Sequence, residues 1–129
     1  MAEQTATRIT GVVTVGVQEA DQERALDFYT SKLGLEKRRD VPFGPGRRWI
    51  EVGAPGAATT VALTPKPDPS AGPVDTGVRL ATRDADACNA ELRAAGVDVD
   101  DVMRFGPGVP PMFTLRDPEG NTLYVVESE

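Results

Sequence analysis

Asp117-Pro118-Glu119-Gly120-Asn121, followed by Thr122-Leu123-Tyr124-Val125-Val126, is the stretch that decides the fold. Asp-Pro sets the entry to a turn, and Gly and Asn tolerate the left-handed backbone that closes it. Met112-Phe113-Thr114-Leu115 stands before the turn. Two short runs of apolar and β-branched residues around such a turn predict a β-hairpin.

Working outward, Phe105-Gly106-Pro107-Gly108 is another turn, and Val97 to Phe105 reads as a strand carrying acidic residues. Asp84 caps a helix whose apolar face is Cys88, Leu92 and Ala95, and Gly96 stops it. Gly77 to Thr82 reads as the strand before that helix. The same order occurs earlier in the chain. Val12 to Val17 is a β-branched strand, and Asp21 caps a helix ending at Gly34. On that helix Phe28 is expected in the core and Tyr29 with its hydroxyl at an edge. Residues 35–43 form a strand, Phe43-Gly44-Pro45-Gly46 a turn, and 48–52 and 59–63 two further strands.

The two halves are in register. Asp84 follows Asp21 by 63 positions, Gly96 follows Gly34 by 62, and the two Phe-Gly-Pro-Gly tetrads start 62 apart. Three features at an offset of 62 or 63 mark an internal duplication of β-α-β-β-β. The expected class is α+β, with two tandem modules forming curved mixed sheets around a concave cavity. One domain over residues 1–129 would hold repeats at about 9–65 and 77–127, joined by a Pro/Gly-rich linker at 66–76. Each half is too small to stand alone, so concave faces must come together within a chain or between two chains.

Composition narrows the function. The net charge is -6. Residues 1–65 hold eight basic and eight acidic groups, and residues 66–129 hold six and twelve. Neither half offers the basic footprint of nucleic-acid binding. No apolar run approaches the ~20 residues of a membrane span. Residues 1–8 are polar, and the start of the chain lacks signal-peptide character. With a single cysteine, Cys88, this favours the cytoplasm. There is no histidine, which removes the usual neutral-pH acid/base and the commonest nitrogen ligand for metals.

The order of elements resembles the vicinal oxygen chelate superfamily, which includes glyoxalase I, extradiol dioxygenases and bleomycin-resistance proteins. The resemblance spans roughly Ile9 to Glu127. It rests on Asp21 to Tyr29 with Leu33-Gly34-Leu35, on Val41-Pro42 before Arg47-Arg48-Trp49, and on Arg116-Asp117-Pro118-Glu119-Gly120-Asn121. It implies four metal-ligand positions, which fall near Val12, Thr60, Gly77 and Tyr124, the first with a possible shift of two or three residues. Those residues do not form a chelating set, so no cofactor is expected. Glu127 lies an odd number of positions from Tyr124, on the opposite strand face.

Candidate ligand residues are Trp49, Phe43, Phe105, Met103, Met112, Tyr124 and Arg47. Trp49 would stack on a planar molecule or pack under a helix. The two phenylalanines would form rims or plug the ends of a sheet, and the methionines would line a cavity or fill core. Glu51 and Tyr124 are weak catalytic candidates. Asp98, Asp100 and Asp101 read as a solvated strand edge, and Cys88 as a buried small hydrophobe. The reading is a metal-free protein that binds a small molecule, such as an antibiotic or other toxic aromatic compound, in a site shared across a homodimer. The alternative is a glyoxalase-like lyase or dioxygenase with an atypical or misplaced metal site.

Overall fold

The structure is a computed structural model that describes residues 8–129. Residues 1–7, most of the polar start of the chain, lie outside the described residues. The first module runs β1 (Thr14–Glu19), α1 (Gln22–Asp27), a π-helical turn (Phe28–Lys32), β2 (Glu36–Pro42), β3 (Arg48–Gly53) and β4 (Thr60–Pro65). The second runs β5 (Asp75–Thr82), α2 (Ala85–Ala94), β6 (Asp98–Val99), β7 (Met112–Arg116) and β8 (Thr122–Glu127). Each makes a four-stranded sheet, ordered β1-β4-β3-β2 and β5-β8-β7-β6. In both, the outer pair is parallel and the others antiparallel.

The helix signals hold. The Asp21 side chain accepts from the Arg24 amide, and the Asp84 side chain from the Ala87 amide. Gly34 and Gly96 end the helical segments with φ of 77° and 87°. Alternating residues on the helix-facing side of each sheet are buried: Val17, Ile50, Val52, Val61 and Leu63 in the first, Phe113, Leu115, Leu123 and Val125 in the second. They belong to one continuous core that also takes in Leu26, Tyr29 and Leu92.

Four expectations are corrected. β1 begins at Thr14, not Val12, because β4 begins at Thr60 and offers no partner strand further back. Val12 and Val13 are therefore exposed. The strand expected at Val97 to Phe105 is reduced to Asp98–Val99 and an isolated Met103–Met112 bridge. The Asp100 amide still donates to the Thr114 carbonyl at 2.9 Å, but its own carbonyl is taken by the Asn89 side chain at 2.7 Å. Tyr29 is not at an edge but fully buried, while Phe28 is only partly covered. β5 starts at Asp75, inside the span taken as linker.

The hairpin turn at 117–121 joins the modules. Asp117 Oδ1 accepts from the amides of Glu119 and Asn121, both at 3.0 Å, which builds the turn. Glu119 then reaches the first module, accepting from the amides of Ala20 at 2.9 Å and Asp21 at 2.7 Å, just ahead of α1. The carboxylate satisfies donors at a helix start. Asn121 donates to the Gln18 carbonyl at 3.3 Å, and Lys32 to the Ala95 carbonyl at 2.8 Å.

Candidate functional site

The β2–β3 hairpin gives the first module its open face. Phe43 and Arg47 close the turn, with the Phe43 amide donating to the Arg47 carbonyl at 2.9 Å. Register then pairs Val41 with Trp49 and Arg39 with Glu51. Strand alternation puts these six side chains on one face, away from the core side marked by Ile50 and Val52. Phe43 and Trp49 meet edge to face with centroids 5.9 Å apart. The Arg47 guanidinium lies 5.3 Å from the Phe43 centroid.

Glu51 is the acceptor on which this face converges. The Trp49 indole N–H donates to its Oε2 at 2.6 Å and the Thr60 hydroxyl to its Oε1 at 2.9 Å. Thr60 is also 2.9 Å from the Thr14 hydroxyl, and Arg39 Nε stands 3.8 Å from Glu51. The Trp49 N–H first, then the Thr60 hydroxyl and the Arg39 charge, hold the Glu51 carboxyl below its usual range. A carboxylate so stabilised is a weak proton acceptor. The only donor of the partly buried Trp49 side chain is thereby committed.

The second module repeats the plan with other chemistry. Met103 pairs with Met112, as Val41 does with Trp49. Tyr124 sits between Thr114 and Arg79. Its hydroxyl donates to Asp75 at 2.7 Å, which raises the phenol pKa, and the Arg79 guanidinium is 4.4 Å from its ring centroid. Arg116 bridges Asp98 and Asp100 at the strand edge, and with Thr114 it lowers the Asp100 carboxyl to about 2. Large apolar groups on both faces stay exposed: Val41 at 44%, Phe43 at 47%, Met103 at 36% and Phe105 at 59%.

The seven candidate ligand residues thus divide between two open faces: Phe43, Arg47 and Trp49 on the first, and Met103, Phe105, Met112 and Tyr124 on the second. None lines the partly open cavity between the two sheets. That cavity, about 400 Å³, lies at the module junction and is walled mainly by Val15, Leu35, Val61, Val78 and Leu80. A smaller pocket beside it reaches Cys88, whose thiol pKa is raised chiefly by burial. A raised pKa disfavours the thiolate form that a nucleophile needs.

The positions implied for metal ligands do not converge on a chelating set. Val12 precedes β1, and the shift of two residues lands on Thr14, opposite Thr60. Gly77 and Thr60 border the junction cavity, while Tyr124 lies on the open face. Two hydroxyls, a glycine and a phenol do not fit a divalent cation. Glu127 faces the helix side, as its odd spacing requires, and accepts from the Ala85 amide at 3.0 Å.

Sequence reasoning did not single out Arg39 and Val41, which share this face. The signal was available, because counting outward from the Phe43–Arg47 turn pairs both with residues already singled out.

Solved structures share this architecture. TnmS3, an antibiotic binding protein from Streptomyces sp. CB03234, is 32% identical with a TM-score of 0.80, over 94% of this chain and 98% of that one. A superfamily member from Sphaerobacter thermophilus DSM 20745 is 35% identical with a TM-score of 0.82, over 93% and 98%. The uncharacterized Bacillus subtilis (strain 168) protein YetH is 42% identical over 53 residues, 41% of this chain and 44% of its own length. A second uncharacterized protein of that strain, YurT, is 40% identical over 48% of its length, so the chain spans under half of each of these relatives. The superfamily pattern itself matches residues 11–125. The chain belongs to the Glyoxalase/Bleomycin resistance protein/Dioxygenase superfamily.

Proposed function

We propose that this protein binds a small aromatic compound without a metal and sequesters it, as an antibiotic-resistance protein does, in the cytoplasm. The observation that carries the reading is the Phe43–Trp49 pair over Glu51. It combines aromatic ring surface with a carboxylate whose oxygens are engaged by Trp49 and Thr60 and whose pKa is held below its usual range. Such a face favours stacking over turnover. Similarity to TnmS3, named for antibiotic binding, supports the same class of ligand. The donor chemistry at the metal positions supports a site without a cation.

A homodimer would complete the site by placing the Trp49 face of one protomer opposite the Met103–Met112 face of its partner. The exposed apolar groups on both faces support that arrangement.

The test is a screen of aromatic antibiotics by quenching of Trp49, the only tryptophan, with calorimetry on wild type and Trp49→Leu. Hits that lose affinity in the variant support the reading. Hits that bind both proteins equally place the ligand elsewhere. A stoichiometric metal retained after exposure to nickel, zinc, manganese or iron, with lyase or dioxygenase turnover, would replace it.

A further inference from the structure

The repeated turns differ in one residue with a chemical consequence. The Arg47 amide donates to the Gly44 carbonyl at 3.3 Å, and the Val109 amide donates to the Gly106 carbonyl at the same distance. The two turns are one structure at an offset of 62. One carries a cation where the other carries an isopropyl group. The Arg47 guanidinium is held beside the Phe43 ring and above Gly44, where a Cβ would come within 3.2 Å of Nη2.

Neighbouring arginines are engaged elsewhere. Arg48 pairs with Asp40 and Glu23 on the helix side. Arg38 donates to the carbonyls of Ala54 and Ala57 and has Glu36 3.8 Å away. Arg39 approaches Glu51. Among the described residues, Arg47 has no carboxylate within 4.0 Å. The chain is acidic overall, yet the β2–β3 open face presents Arg39 and Arg47 against Glu51 alone.

We propose that Arg47 sets ligand class at the Trp49 face by selecting flat aromatic molecules that carry an anionic oxygen, a carboxylate or phenolate, at the ring edge. The ring stacks on Trp49, and the anion takes charge-assisted hydrogen bonds from the guanidinium. The proposal rests on the reading of this face as a ligand site.

Three probes of one ring system test it by calorimetry on the full chain: acridine-9-carboxylate, the neutral acridine-9-carboxamide and cationic 9-aminoacridine. The expected result is carboxylate binding about tenfold tighter than carboxamide, with the amine weakest and the preference shrinking as salt rises. Arg47→Gln should abolish the preference, weakening carboxylate binding far more than carboxamide binding. Arg39→Gln should leave the preference in place. Equal binding of carboxylate and carboxamide, or a preference that survives Arg47→Gln, overturns the proposal while the aromatic site stands. A preference lost in Arg39→Gln instead overturns the assignment to Arg47. If no probe binds and Trp49→Leu changes nothing, the aromatic site and the proposal fall together. Unchanged circular dichroism of both arginine variants excludes misfolding as the cause.

Discussion

The Tyr29 hydroxyl donates to Asp117 Oδ2 at 3.0 Å, joining the helical segment of the first module to the hairpin turn of the second. Both residues are buried, so water cannot replace the bond. Tyr29→Phe keeps the ring and removes the donor. The expected cost is about 1.5–3 kcal/mol, the range for a hydrogen bond to a charged group. Urea unfolding should show a lower midpoint and an unchanged slope. An unchanged midpoint would mean that the bond does not hold the modules together.

Glu19 lies beside this pair, fully buried, and neither carboxylate oxygen finds a donor among the described residues. Burial first, then the neighbouring Asp117 and Glu119 carboxylates, push its pKa from 4.5 up to about 10. Between those values the folded chain keeps a proton that the unfolded chain has released. Stability from this group is therefore fully present below about 4.5 and is lost as pH rises toward 10, with a limiting slope of about 1.4 kcal/mol per pH unit. Wild type should be more stable at pH 5.5 than at pH 8.5. Glu19→Gln should flatten that difference and raise stability at pH 8.5, since its amide can donate to Asp117 without a charge. Parallel pH profiles for the two proteins would assign the slope to another group.

Local chemistry made much of this fold legible. Asp21, Asp84, Gly34 and Gly96 act within one helical turn of themselves, and Pro118 with Gly120 acts within one β-turn, so their roles need no tertiary information. What was lost depends on partners distant in sequence. Val12 and Val13 have the composition of a strand, but the start of β4 decides where β1 begins. The Asp100 carbonyl bonds to the Asn89 side chain, eleven positions back on α2. Glu19 follows a β-branched run and looks like a solvated connector, yet the second module buries it. On the β2–β3 face, Trp49, Phe43 and Glu51 stand out by residue type, whereas the Trp49–Glu51 bond depends on side-chain placement that sequence does not contain.

Gly44 and Gly106 allow backbone strain to be separated from arginine placement. Both have positive φ, 82° and 102°. Alanine at either should cost about 1–2 kcal/mol for the left-handed backbone. Only at Gly44 would the new Cβ crowd the Arg47 guanidinium, since nothing lies within 4 Å at Gly106. Gly44→Ala should therefore weaken binding of acridine-9-carboxylate, and Gly106→Ala should leave it unchanged at similar loss of stability. Equal effects on binding would show that Arg47 is not held by its contact with the turn.

Val41 and Phe105 separate a dimer seam from a solvent-facing sheet. Val41 lies on the open face of the first module and Phe105 in the loop after Met103 in the second, and both are exposed in the single chain. Lysine at either position should leave the unfolding midpoint of an isolated chain within about 0.5 kcal/mol of wild type, as for other exposed sites. In a dimer that closes these faces on each other, the same lysine would be buried without a partner charge. Sedimentation velocity at micromolar concentration should then show wild type as a dimer and both variants as monomers. It should also show aromatic ligand binding lost with the dimer. A wild-type monomer that still binds ligand at Trp49 would put the whole site on one hairpin face and remove any need for the partner's methionines.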